Sequence, residues 1–198
     1  MIFEKFNPKT HNTKEIATLT YDVDYRTFSM LYKNKEEAIL AIEEKLIKES
    51  NNNYLLYVIL DDDNTIIGMV SLSTNKKPSL FRENLFLFRN LKIIDAFKLS
   101  IINFLDSRVL SDFNKGDLYI AEIAISSSER GKGLGKQVLN IIIEKAKEKN
   151  FKRVTLDADF RNKGAYKLYK SLGFKVFKKK NFKIINFERG MYNMEFKL

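Results

Sequence analysis

The sequence predicts an α/β domain, and three features carry that prediction. Short β-branched apolar runs alternate along the 198 residues with longer stretches of helical periodicity. A glycine-rich turn, Arg130-Gly131-Lys132-Gly133-Leu134-Gly135-Lys136, joins one of those runs to an amphipathic helix. The apolar runs are each too short for a membrane-crossing helix, and no basic region followed by a hydrophobic stretch opens the chain. One domain over residues 1–198, located in the cytoplasm and without membrane attachment, is expected.

Element by element, Glu15 to Tyr21 reads as a first strand, followed by helices at about Val23 to Lys33 and Lys35 to Glu49. In the second helix Ala38, Ile39, Ile42, Leu46 and Ile47 recur at helical spacing while Glu36, Glu37, Glu43 and Glu44 occupy other faces. Tyr54 to Leu60 and Ile66 to Ser73, joined by the turn-forming Asp61-Asp62-Asp63-Asn64, make a hairpin. Residues 75–116 open with structure-breaking Pro78 and read as two helices, the second carrying Ile93, Ile94, Phe97, Ile101, Ile102 and Leu105 on one stripe.

Leu118 to Ile125 is the next strand, and the helix after the glycine turn, Leu134 to Lys149, buries Leu134, Val138, Leu139, Ile142, Ile143 and Ala146. Arg153 to Ala158 alternates, with Val154, Leu156 and Ala158 to one side and Thr155 and Asp157 to the other, as in a half-buried strand. A helix from Asn162 and strands at Phe174 to Phe182 and Gly190 to Phe196 complete the order.

The formal charge is +10. Its lysines are dispersed among Glu and Asn, with one cluster at Lys175 to Lys183, so a solvated surface is expected and no specific nucleic-acid partner. His11, the lone histidine, sits among polar residues and is expected to be solvated.

The glycine turn reads as a phosphate cradle. Alternate glycines permit positive φ and close approach, and the helix start presents amides and the positive end of a dipole. It fits neither the Walker loop, since Gly135 precedes Lys136-Gln137, nor the dinucleotide fingerprint, which needs glycine where Lys136 stands. Further on, Asn162, Ala165, Leu168-Tyr169 and Leu172-Gly173-Phe174 fall at a helical spacing that puts Asn162, Ala165 and Tyr169 on one face, with Gly173 and Phe174 as a stop.

Together, Arg-x-x-Gly-x-Gly at a strand-to-helix junction and Asn162 to Phe174 resemble the motifs of the GNAT family, the GCN5-related N-acetyltransferases. The motifs cover Tyr119 to Phe174, and the first half of the chain agrees in element order. The resemblance implies a mixed, twisted sheet of about seven strands with helices on both faces. The 75–116 segment would then be a helical insertion between the third and fourth strands. It would wall an acceptor site, form a dimer surface, or complete the core with its phenylalanines; monomer and homodimer are both open.

The same resemblance implies acetyl-CoA as cosubstrate, its pyrophosphate held by amides from Arg130 through Gly131, Lys132, Gly133, Leu134 and Gly135 to Lys136. Its pantetheine arm would lie along Ile123, Ala124 and Ile125 and beside Asn162 and Ala165. An amide near Ile123 would stabilise the developing oxyanion. Tyr169 would be the general acid and Glu122 the base, with Asp157 the alternative base. The chain contains no cysteine, so transfer to an amine must be direct or use another nucleophile, and no metal is implied. The acceptor is an amine-bearing small molecule or peptide. The positive net charge works against polycations at long range unless the pocket mouth is acidic. A non-catalytic acetyl-CoA-binding sensor is the competing function.

Overall fold

The computed structural model describes residues 1–50, 55–74, 79–184 and 187–198. Tyr54 and Asn75 to Pro78, read above as a strand start and a breaker segment, lie outside the described residues. The strands are β1 (Ile2–Lys5), β2 (Leu55–Leu60), β3 (Ile66–Ser73), β4 (Asp117–Ile125), β5 (Arg153–Asp159), β6 (Lys175–Ile184) and β7 (Phe187–Lys197). They form one mixed sheet in the order β1-β2-β3-β4-β5-β7-β6. Every neighbouring pair is antiparallel except β4 and β5, which run parallel.

The helices are α1 (Thr13–Val23), α2 (Tyr25–Leu31), α3 (Lys35–Glu49), α4 (Leu80–Asn90), α5 (Ile93–Val109), α6 (Leu134–Glu148) and α7 (Lys163–Ser171). They divide between the two faces of the sheet. Ile16, Ala17, Ile39 and Ile42 from α1 and α3, with Leu87 and Leu99 from α4 and α5, pack on Val58, Met69 and Ala124. Val138, Leu139 and Ile142 from α6 and Tyr169 from α7 pack on Ile59, Val70, Ile120 and Leu156 on the other side. Because β5 is central, its alternation sorts residues between two covered faces, and Thr155 is as buried as Val154. The half-buried reading of this strand is corrected accordingly.

The expected first strand, Glu15 to Tyr21, is helical. Its β-branched residues suggested a strand, but Ile16, Leu19 and Thr20 bury one helical face in α1. Asn12 caps that helix by accepting from the Glu15 amide, the spacing of a capping pair. The actual first strand is Ile2–Lys5, an edge strand paired with β2. His11 is not solvated: its side chain is 7% exposed, accepts from the Asn7 amide through Nδ1, stacks on Phe6 and pairs with Glu4.

The β2–β3 turn forms as expected, with Asp61 accepting from the amides of Asp63 and Thr65 and Asn64 at φ 60°. The two helices read between residues 75 and 116 are α4 and α5, but the apolar stripe of α5 is shifted. Ala96, Leu99, Ile102, Leu105 and Val109 face the core, whereas Ile93, Ile94 and Phe97 are exposed.

Candidate active site

Parallel strands β4 and β5 pair only from Asp117↔Arg153 to Ile120↔Leu156, while both continue beyond, so the sheet is parted on one side. Arg153 pins the closed end, binding Asp117 at 2.8 Å and Glu195 at 2.7 Å. A bulge opens the other end: Leu72 faces Ile120 and Ser71 faces Glu122, leaving Ala121 as the extra residue on β4. The bulge turns Glu122 to the face that Tyr119 occupies, above the parting.

The antiparallel ladder fixes which β4 groups address the slot. Ser126 donates to Ile67, so the bonded phase places Ala124 and Glu122 toward β3, and turns the backbone of Ile123 and Ile125 toward the parted side. Arg130 Nε donates to the Ile125 carbonyl there at 3.2 Å. Of the three β4 residues expected along the cofactor arm, Ile123 and Ile125 therefore present free-edge backbone, and Ala124 contributes a small side chain.

Beyond β4 the glycine turn enters α6. Gly131 and Gly133 adopt φ of 83° and 80°, Gly133 is the helix N-cap, and no side chain caps the helix. A Cβ at either glycine would meet nothing within 4 Å, so their backbone is open to an approaching group. Gly135 differs: it is helical, and a Cβ there would touch Leu168 at 3.4 Å, which lets α6 and α7 pack closely. Lys132 pairs with Glu129 at the rim. The first turn of α6 holds no acidic residue. The arrangement suits a polyanion bound to amides and the helix dipole.

Asn162 is the N-cap of α7 rather than a residue on its stripe: its Oδ1 accepts from the Ala165 amide at 3.0 Å, leaving the side-chain NH2 as a donor. The other end is a Schellman stop, with Phe174 N donating to Tyr169 O and Gly173 N to Lys170 O. Gly173 has φ 98°, and a Cβ would lie 3.2 Å from Phe196. Gly173→Ala is accordingly expected to lower stability by about 1–2 kcal/mol, read from the urea midpoint; an unchanged midpoint would contradict the strain argument.

Three titratable candidates converge here. Glu122 is half-buried, and its Oε2 is sealed from solvent with no hydrogen-bond donor in the protein. Burial, opposed by Lys45 and reinforced by Asp106, Glu49 and Asp24, pushes its carboxyl up to about 7. Tyr169 is 6% exposed, and burial, then the Asp157 charge, push its phenol up to about 12, so it carries its proton at neutral pH. Asp157 accepts from Ser111 N and Oγ, Tyr119 Oη and Asn193 Nδ2. Four donors occupy its lone pairs and tie the chain after α5 to β4, β5 and β7. Ser111, Tyr119 and Asn193 carried no sequence signal, because each is remote from Asp157 along the chain.

Ile123, Ala124, Ile125, Arg130, Asn162, Ala165 and Tyr169 line one cavity of about 920 Å³ with Glu122 and Asp157. Gly131 to Lys136 form the cradle beside it. Leu87, Ile102 and Leu110 add a wall, so the segment between β3 and β4 shapes this cavity as well as supplying core.

The model of the acetyltransferase (GNAT) family matches residues 17–174. Among solved structures, an N-acetyltransferase from Staphylococcus aureus is 17% identical with a TM-score of 0.67, covering 99% of this chain and 100% of that one. The spermidine/spermine N-acetyltransferase of Vibrio cholerae is 16% identical with a TM-score of 0.60, covering 99% and 93%. A Bacillus subtilis acetyltransferase in complex with CoA is 16% identical with a TM-score of 0.55, covering 99% and 97%. At these identities the likenesses show the fold. No curated protein matches in sequence. The family match over most of the chain, with its motifs placed on a parted β4–β5 pair, an uncapped glycine helix start and a buried tyrosine, shows that this chain belongs to the GNAT acetyltransferase family.

Proposed function

We propose that this protein is an N-acetyltransferase that moves an acetyl group directly from acetyl-CoA to a primary amine. The observation that carries the reading is that one cavity joins the free edge of β4, a carboxylate poised near neutral pH and a protonated buried phenol, with the open cradle following Arg130 at its border.

Amides of Gly131 to Gly135 and the α6 dipole would hold the pyrophosphate, whereas the Lys136 amide, expected in the cradle, is donated to the Gly133 carbonyl at 3.1 Å. The outward backbone of Ile123 and Ile125 and the Nδ2 group of Asn162 would hold the pantetheine arm. Bound acetyl-CoA supplies an activated thioester carbonyl. The acceptor enters as an ammonium, and Glu122, directly or through water, takes the proton that makes the nitrogen nucleophilic. The Ile123 amide, aimed at the parted side, would meet the negative charge that develops on the carbonyl oxygen. As the C–N bond forms and the C–S bond breaks, Tyr169 donates its proton to the departing sulfur and is re-protonated from solvent. The nitrogen loses its second proton to solvent as the amide forms, so the products are an amide, a free thiol and, net of the proton that restores Tyr169, one released proton. Asp157, saturated by four donors, would act as the positioning residue that holds Tyr119 and the β4–β5 geometry.

Calorimetric titration with acetyl-CoA tests the cofactor assignment. Micromolar affinity is expected, and Gly133→Glu, which sets a carboxylate in the open cradle, should weaken it by about tenfold or more. No binding by folded wild-type protein would end the acetyltransferase reading. Binding without thiol release for any amine would mark a sensor instead.

A further inference from the structure

The charge of the cavity runs opposite to that of the protein. The chain carries +10, yet among the described residues eight carboxylates line the cavity against three cations, Lys45, Arg130 and Arg189. Besides Glu122 and Asp157 these are Asp22, Asp24, Glu49, Glu83, Asp106 and Asp159, drawn from α1 and the residue that follows it, α3, α4, α5 and β5. The cations are engaged. Arg189, 7% exposed, binds Asp24 at 2.9 Å and Asp106 at 2.8 Å, and Lys45 binds Glu49 at 3.2 Å. Arg130 is turned to the Ile125 carbonyl.

A second observation points to a ligand. Oε2 of Glu122 faces this anionic enclosure, buried and without a donor, and a buried acceptor in that state calls for one. An ammonium group supplies both the hydrogen bond and the charge. Asp22 is answered by Lys35 at 3.2 Å, but Asp24 and Asp106 share the single Arg189 guanidinium, so a net negative charge remains beside them after one ammonium has bound.

We propose that the acceptor is a small aliphatic amine with at least two positive charges, one amino group presented to Glu122 and another held among Asp24, Glu49 and Asp106. This deepens the acetyltransferase reading and rests on it. A cavity of about 920 Å³ must also admit the pantetheine end, which leaves room for a narrow chain and matches the size of small-molecule sites. The basic exterior slows approach of such a cation, but the low-dielectric walls focus an attractive field inside. Acetylation removes one charge from the acceptor and so loosens the product.

The test is calorimetry on CoA-saturated protein with spermidine, putrescine and butylamine, followed by thiol release with the same amines. Putrescine is expected to bind at least about tenfold more tightly than butylamine. That advantage should shrink between about 50 and about 500 mM salt. Asp106→Asn and, because that change also touches Arg189, separately Glu49→Gln should reduce the advantage while leaving acetyl-CoA affinity unchanged. Equal affinity for putrescine and butylamine, or preference for an anionic amine such as glutamate, overturns the proposal. Charge-selective binding without thiol release keeps the pocket assignment and overturns transfer. Thiol release with equal efficiency for both amines keeps transfer and overturns the charge assignment.

Discussion

Replacing Tyr169 by phenylalanine is expected to lower kcat by about 10²–10⁴-fold, the contribution of a positioned general acid, while acetyl-CoA binds as before. The phenol is 6% exposed, and burial, then Asp157, push its pKa up to about 12. A group so placed keeps its proton through the neutral range and is therefore loaded as a donor when charge develops on the departing sulfur. The ring itself packs on Phe174 with centroids 6.0 Å apart, and phenylalanine preserves that contact. Stability should therefore change by no more than about 1 kcal/mol. kcat and kcat/KM should fall together, as for an interaction made only in the transition state. A variant within about twofold of wild type would leave Tyr169 as packing and require another proton donor.

Gly173→Ala separates the tyrosine's chemistry from the fold that holds it. That change strains the stop of α7 without removing the phenol, so it should lower the urea midpoint while kcat under native conditions stays near wild type.

How much of this was legible in the sequence differs by element. The cradle and the α7 stop were readable because each is local: glycine tolerates the positive φ, and Phe174 returns to Tyr169 within one turn. Residues 15–21 misled because Ile16, Thr18 and Thr20 mimic strand alternation, whereas the cap from Asn12 to Glu15 decided for helix. Ile2–Lys5 gave no signal because its partner, Leu55–Leu60, lies far along the chain. The same non-locality hid the character of the site. Asp24, Glu49, Asp106 and Glu122 come from separate elements, and only the packed fold sets them around one cavity. Net charge, an average over the surface, does not report the acidic lining of that cavity. The fourfold saturation of Asp157 was likewise invisible, because its donors lie far from it along the chain.

Glu122→Gln is expected to abolish the acid limb of the pH profile and to lower kcat/KM by about 10²–10⁴-fold above that limb. Burial, with Asp106, Glu49 and Asp24 outweighing Lys45, pushes the Glu122 carboxyl up to about 7. The base form is therefore lost as pH falls through about 7, and wild-type kcat/KM should rise with pH across that value until the acceptor's own ionisation dominates. The sign of the stability effect is opposite. The folded state holds the proton more tightly than the unfolded chain, so this group's contribution is fully present below pH 4.5 and is lost as pH rises to about 7. Above that pH the variant, which carries no charge to bury, should be more stable than wild type by about 3 kcal/mol, or about 10 °C in Tm. Well below pH 4.5, where the carboxyl is neutral in the folded and the unfolded chain, the difference should vanish. A base is then distinguished from a structural carboxylate by two readouts moving in opposite directions, activity down and Tm up at pH 8. An acid limb near 7 that persists in Glu122→Gln would transfer the base role elsewhere, and a lower Tm at pH 8 would show that the ionised carboxylate contributes to the fold.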